Sequence, residues 1–183
     1  MWQLFPPEGG TLTTTYDYGD EGGQLLYQVL RYEPKAFRQR RSDGRGGWIW
    51  NLAGVRLMLY RLPEVLKAET VLVVEGEKDV ETAYRLGLPA SVAATTSVLG
   101  ACQWRSEYSE TLRGRRVVIC PDNDRAGREH LGQMIRDLQG KAAEIRILRL
   151  PGNARDLSDW AEKGGTKKQL AQLMKTAELA PQQ

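Results

Sequence analysis

Up to about residue 52 the chain reads as short extended runs separated by glycine-rich turns, and beyond Ala68 as compact apolar blocks that alternate with helix-patterned segments. The first pair of runs, Thr13–Tyr18 and Leu25–Leu30, flanks Gly19-Asp20-Glu21-Gly22-Gly23 and predicts a β-hairpin. A second hairpin is predicted from Ala36–Arg41 and Trp48–Leu52 around the turn Ser42–Gly47, so that the two together make a small antiparallel sheet. Pro63 then marks a break before a helix ending near Lys67. Past it come predicted strands at 71–74, 90–94, 117–120 and 143–150, with helices at 77–86, around Arg105 to Leu112, at 126–138 and at 166–178. Strand–helix alternation of this kind is the rhythm of a parallel sheet with crossover helices. The expectation is an α/β fold with a four-stranded parallel sheet (69–183), preceded by an antiparallel β-subdomain (1–68).

Two acidic clusters follow directly on apolar strands: Glu75-Gly76 after Val71–Val74, and Asp122-Asn123-Asp124 after Val117–Pro121. Ligands of open parallel sheets bind beyond the carboxyl ends of the strands, so these carboxylates are expected to converge. Like charges held that close raise one another's pKa unless a cation compensates them, and Mg²⁺ (or Mn²⁺) is the hard, oxygen-seeking ion suited to the position. A metal-dependent phosphoryl site is the leading reading. Asp122 and Asp124, two residues apart at a strand end, are able to reach one ion, while Asp79 follows Glu75 by about one helical turn.

Composition narrows the field only modestly. The chain has 183 residues, 41% hydrophobic and 27% charged, with a formal net charge of +3, which by itself announces no nucleic-acid partner. Distribution says more: from Arg31 to Arg61 eight cationic residues stand against Glu33 and Asp43, a local charge of about +6. Arg38 and Arg40 share one strand face, Arg41 lies beside them, and Trp48 and Trp50 offer flat surfaces for base stacking. Such a hairpin suits single-stranded nucleic acid held by phosphate contacts with little sequence preference. Cys102, Cys120 and His130 cannot build a zinc ribbon. A free thiol in the Cys102 loop suggests a reducing compartment, the cytoplasm, and neither a membrane-length apolar stretch nor a signal pattern at Met1–Pro7 is expected to direct the chain to a membrane.

The run Val73-Val74-Glu75-Gly76 with Asp79, then Asp122-Asn123-Asp124-Arg125-Ala126-Gly127-Arg128, then Asp156 with Asp159, resembles the Toprim family. That domain is shared by bacterial-type primases, type IA and type II topoisomerases and certain nucleases. The Asp124–Arg128 run, the Leu150–Asp156 tail and the segment Leu52–Leu62 look most like the primase version, as found in proteins of prophages and plasmids, often beside a helicase or AAA+ ATPase. The resemblance implies Glu75 as general acid or base, Asp79, Asp122, Asp124 and Asp156 as metal ligands, and a Toprim (Rossmann-like) fold. It also implies a primase-like nucleotidyltransferase that uses single-stranded DNA and nucleoside triphosphates. Relatives carry a lysine where this chain has Ala53, so Arg56 and Lys78 are the candidates to hold triphosphate, with Arg31 and Arg125 as further nucleic-acid or nucleotide contacts. Two other readings use the same residues: a Toprim nuclease, and a non-catalytic DNA-binding module serving a helicase or ATPase. A topoisomerase would need a nucleophilic tyrosine on a separate DNA-gate domain, for which this chain has no room.

Overall fold

The structure, a computed structural model, describes residues 9–100 and 103–181, so Cys102 and the Met1–Pro7 segment lie outside the described residues. It divides into two compact units, Met1–Pro63 and Glu64–Gln183.

The first unit is an antiparallel meander of β1 (Thr11–Gly19), β2 (Leu25–Glu33), β3 (Ala36–Ser42) and β4 (Trp48–Ile49), in that spatial order. Its first turn is held by Asp20, whose Oδ1 accepts from the backbone N–H groups of Gly22 and Gln24, both at 2.9 Å. An aspartate that bonds the backbone two and four residues on stands in for the missing ladder partners. Asp43 does the same in the β3–β4 turn, accepting from Arg45 and Gly47 at 2.7 and 2.8 Å. A tyrosine cluster fills the interior: Tyr18 stacks on Tyr27 with ring centres 4.6 Å apart, and Tyr60 meets Tyr16 edge-on at 5.9 Å. The Tyr27 hydroxyl donates to the Met58 carbonyl at 3.2 Å and accepts from the Met58 N–H at 3.1 Å, so burial leaves it satisfied. The predicted second hairpin is present but shorter, since β4 pairs with β3 only at Arg41↔Ile49 and Ser42↔Trp48.

In the second unit α1 (Leu62–Lys67), which begins just before the division, leads to β5 (Thr70–Val73), α2 (Glu77–Leu86), β6 (Val92–Thr95), α3 (Ser106–Thr111) and β7 (Arg116–Ile119). Then come α4 (Arg125–Leu138), β8 (Glu144–Ile147), α5 (Leu157–Glu162), α6 (Lys167–Thr176) and β9 (Glu178–Leu179). The sheet order is β6-β5-β7-β8-β9, parallel except for β9. Val71, Leu72, Val117, Val118 and Ile119 are buried, as strands covered on both faces require. The four expected parallel strands are therefore present, and the sheet gains a fifth, antiparallel edge. β9 has two residues, too short for any periodicity to reveal; it exists because the free edge of β8 offers the Ile145 carbonyl to the Ala180 N–H at 2.9 Å, while Arg146 Nη1 donates to the Ala177 carbonyl at 2.7 Å. The fourth strand is also shorter than the 143–150 run suggested.

The order carries a functional consequence. From β5 the chain moves outward to β6, then crosses back to place β7 on the other side of β5. Crossovers that leave in opposite directions open a crevice at the carboxyl ends of the two central strands, here β5 and β7. Among the described residues no helix is long and apolar enough to cross a membrane.

Candidate active site

Glu75 follows β5 and Asp122 follows β7, so both lie at that crevice. Glu75 Oε1 accepts a hydrogen bond from the Asp122 N–H at 3.0 Å, which ties the two strand exits together. Gly76 is the extended N-cap residue of α2, and its carbonyl accepts from the Asp79 N–H at 3.1 Å. Asp79 is buried in the first turn of α2, where its Oδ1 accepts from both the N–H and the hydroxyl of Ser158, at 2.8 and 2.6 Å. The hydroxyl of Ser158 lies 3.0 Å from that of Thr82.

Asp124 and Asp156 both serve as N-caps. Asp124 Oδ1 accepts from the Gly127 N–H at 2.8 Å at the start of α4, and Asp156 Oδ1 accepts from the Asp159 N–H at 2.6 Å at the start of α5. The backbone links these loops as well, through the Asn123 N–H donating to the Arg155 carbonyl at 2.8 Å. A carboxylate at a helix start satisfies an orphan donor and meets the positive end of the helix dipole. Asp159 is differently engaged: its Oδ2 accepts from the Arg155 N–H at 2.8 Å and from Lys163 Nζ at 2.9 Å, and these partners hold its carboxyl below the usual range, Lys163 most strongly.

Electrostatically the cluster is under-compensated. Burial, followed by the charges of Glu75, Asp79, Asp156 and Asp124, pushes the Asp122 carboxyl up to about 7. Glu75 is raised by burial first and then by Asp124 and Asp79, against the lowering effect of the Asp122 N–H. Asp79 is raised by burial and by Asp156, although the Ser158 hydroxyl opposes this. Four carboxylates, Glu75, Asp79, Asp124 and Asp156, each commit one oxygen to an internal hydrogen bond. Among the described residues no three Asp, Glu, His or Cys side chains converge as a finished ligand set. The donor chemistry nevertheless fits a hard divalent cation, because every candidate is a carboxylate and the charge of Lys78, felt at Asp79, does not offset burial and mutual repulsion.

Two residues that sequence reasoning did not single out shape the site. Gly127 is buried against it: a Cβ there would lie 2.6 Å from Glu75 Oε1 and closer still to the Asp122 carbonyl oxygen. Ser158 stands between Asp156 and Asp159, but nothing local pairs it with a residue 79 positions earlier. Ser158→Ala removes the hydroxyl donor from a buried carboxylate, and its expected cost is about 1–3 kcal/mol, read by thermal melting. A melting curve that superimposes on that of the parent would show that Asp79 does not depend on this bond.

The basic candidates fall into two groups. In the first unit the Arg40 guanidinium lies 3.9 Å from the centre of the Trp48 ring and 5.6 Å from that of Trp50, and its Nε donates to Gln28 Oε1 at 2.7 Å. Arg31 sits over Phe37 at 5.8 Å, Arg38 donates to the Phe37 carbonyl at 2.7 Å, and the Arg41 Nε is buried without a hydrogen-bond partner among the described residues. The others are paired with glutamates on exposed surface: Arg56 with Glu21 at 2.6 Å, Lys78 with Glu162 at 2.9 Å and Arg125 with Glu129 at 2.8 Å.

Comparison with known proteins adds a family and a fold. The family described as Toprim-like matches residues 72–162. The catalytic core of the E. coli primase is similar, with 20% identity and a TM-score of 0.66 over 90% of this chain and 52% of that one. A DnaG primase catalytic domain bound to ssDNA matches at 22% identity and a TM-score of 0.65, over 90% of this chain and 51% of that chain. The primase fragment of the bacteriophage T7 primase-helicase protein matches at 20% and 0.63, over 90% and 66%. At these identities the likeness is one of fold, and the chain spans about half the length of the primase cores it matches. No curated protein matches the chain.

Proposed function

Starting from the Toprim-like domain that residues 72–162 form, in a chain with the fold of primase catalytic cores, we propose a primase-like nucleotidyltransferase acting on single-stranded DNA. The observation that carries this reading is the under-compensated carboxylate cluster at the β5–β7 crevice, with Asp122 pushed up to about 7. Asp79, Asp122, Asp124 and Asp156 would hold Mg²⁺ or Mn²⁺ through the carboxylate oxygens left over from their internal hydrogen bonds. A divalent cation there supplies a lowered pKa at an attacking 3′-hydroxyl and neutralises phosphate charge. Glu75, with its carboxyl raised by burial and neighbouring charge, is suited to take the hydroxyl proton. The Asp122 N–H holds its Oε1, and Gly127, having no Cβ, leaves that oxygen room.

Arg31, Arg38, Arg40 and Arg41 are the template-binding group, with the Arg40–Trp48 pair as a flat cationic surface against which an unpaired base stacks. Arg56, Lys78 and Arg125 are the triphosphate group. Their ion pairs lie on exposed surface, where solvent and salt screen them, so a polyphosphate displaces the glutamates at little cost. Replication of a mobile element, a cytoplasmic location and a helicase or AAA+ ATPase partner complete the proposal. The fold match to a primase fragment of a primase-helicase supports the last of these.

The test is to incubate the chain with single-stranded DNA, labelled ribo- and deoxynucleotides and Mn²⁺. New labelled oligomers are expected, reduced by roughly 10²-fold in Glu75→Gln as for loss of a general base. Template loss without added nucleotides would instead identify a nuclease. Binding that survives Asp122→Asn with Asp124→Asn, with no product from the parent, would identify a non-catalytic module.

A further inference from the structure

Far from the carboxylates, a cavity of about 230 Å³ opens between α6 and the sheet of the second unit. Thr70, Val92 and Arg116, the first residues of β5, β6 and β7, line it, so it lies about one strand length, on the order of 13 Å, from the opposite ends that carry Glu75 and Asp122. Its floor is apolar, made by Leu88, Val92, Val118, Leu170 and Met174. Its rim is cationic: Arg116, Arg146, Lys167 and Lys175. Both arginines share the single carboxylate of Glu144, at 2.8 and 2.7 Å, and the two lysines have no ion-pair partner among the described residues. Gly87 contributes room, because its left-handed conformation (φ 94°) ends α2 without a side chain and lets the Lys167 stem pass over it.

Volume and charge together select the occupant. Clefts for whole small molecules run to about 300–1,000 Å³, whereas this one has space for a single bulky side chain. An apolar floor under a positive rim is mismatched to a nucleic-acid backbone, which has nothing to bury there, and complementary to a peptide with acidic residues next to an aromatic or branched aliphatic one. We propose that the cavity is a docking site for an acidic segment of another protein, which inserts one large apolar side chain between α6 and the sheet and lays its carboxylates against Lys167, Lys175, Arg116 and Arg146. The apolar anchor in a pocket supplies residence, and the charges supply steering and salt sensitivity. Placement at the amino ends of the strands lets such a partner be held while the carboxylate crevice stays open to its own ligands.

The test uses the full chain and a fluorescein-labelled peptide, Gly-Asp-Asp-Glu-Asp-Leu-Phe, followed by anisotropy at low and high salt. Saturable micromolar binding is expected, weakened roughly tenfold when the peptide's Phe is replaced by Ser and by a similar factor in Lys167→Glu. Ala171→Trp, which fills the mouth from exposed α6 surface, is expected to abolish it; should that variant melt early, Lys167→Glu with Lys175→Glu carries the test, as both lysines lie on the surface. Equal binding of the Phe and Ser peptides would overturn the proposal in favour of plain charge attraction. Full competition by single-stranded DNA would overturn it too, as would self-association of the chain that disappears with Ala171→Trp, which would make a second copy the occupant.

Discussion

Gly127→Ala is expected to lower the melting temperature by roughly 5–12 °C and to disable the carboxylate site, although alanine for glycine inside a helix ordinarily gains about 1 kcal/mol. The new Cβ would meet the Asp122 carbonyl oxygen and lie 2.6 Å from Glu75 Oε1. A flexible side chain could step aside, but the carbonyl cannot, because it belongs to the exit of β7 and its residue's N–H is already bound to Glu75. The first turn of α4 must move instead. That strains the Gly127–Asp124 cap and shifts Asp124 within the acidic cluster, so an overpacking cost of about 1–3 kcal/mol adds to about 1 kcal/mol for the cap. Gly132→Ala, in the same helix, is the control: its Cβ would meet Arg136 Nη1 at 3.5 Å, an ordinary contact, and the variant should melt at or slightly above the parent. A Gly127→Ala protein as stable as Gly132→Ala would show that α4 does not press on the site.

Asp122→Asn should have effects of opposite sign on stability and activity. The folded carboxyl titrates at about 7 against an ordinary 3.8, so the native state holds this proton more tightly than the unfolded chain does. The stabilisation associated with that proton is complete below about 4 and is lost as pH rises through 7. Above that the parent carries an ionised group that is half-buried and set among like charges. Partial exposure and salt screen this repulsion, so the neutral amide is expected to gain about 1–2 kcal/mol, roughly 2–6 °C, at pH 8 without divalent cations and nearly nothing at pH 4. Adding Mg²⁺ or Mn²⁺ should raise the melting temperature of the parent and leave that of the variant almost unmoved, while oligomer synthesis falls by 10² or more, on the order of the loss of a principal electrostatic contact. Identical melting of the two proteins across pH 4 to 8 would remove the repulsion from the account. A metal response retained in the variant would remove Asp122 from the ligand set.

Much of this site could be read from the chain because its signals are local. Four-residue apolar runs stand directly before Glu75 and close before Asp122, and buried parallel strands must present whatever follows them at one edge of the sheet. The N-capping roles of Asp124 and Asp156 were harder to see, since the same aspartates serve both helix starts and the acidic cluster. The bonds between Ser158 and Asp79 and the closeness of Gly127 to Glu75 left no trace in any window of neighbouring residues. They join positions far apart along the chain, and a contact of that kind has no period.

What the sequence determined by itself is the alternation of strands and helices, the basic character of the stretch from Arg31 to Arg61 and the placing of carboxylates at the ends of two strands. Hydrophobic periodicity and turn chemistry act over a few residues and are written there. The tertiary structure alone decided that β7 crosses back beside β5 and opens the crevice between them, that β9 closes the far edge of the sheet, and that burial, with the neighbouring carboxylates after it, pushes Asp122 up to about 7. Each depends on which distant groups exclude water from one another and which backbone donors they then find, and local propensity does not encode such choices.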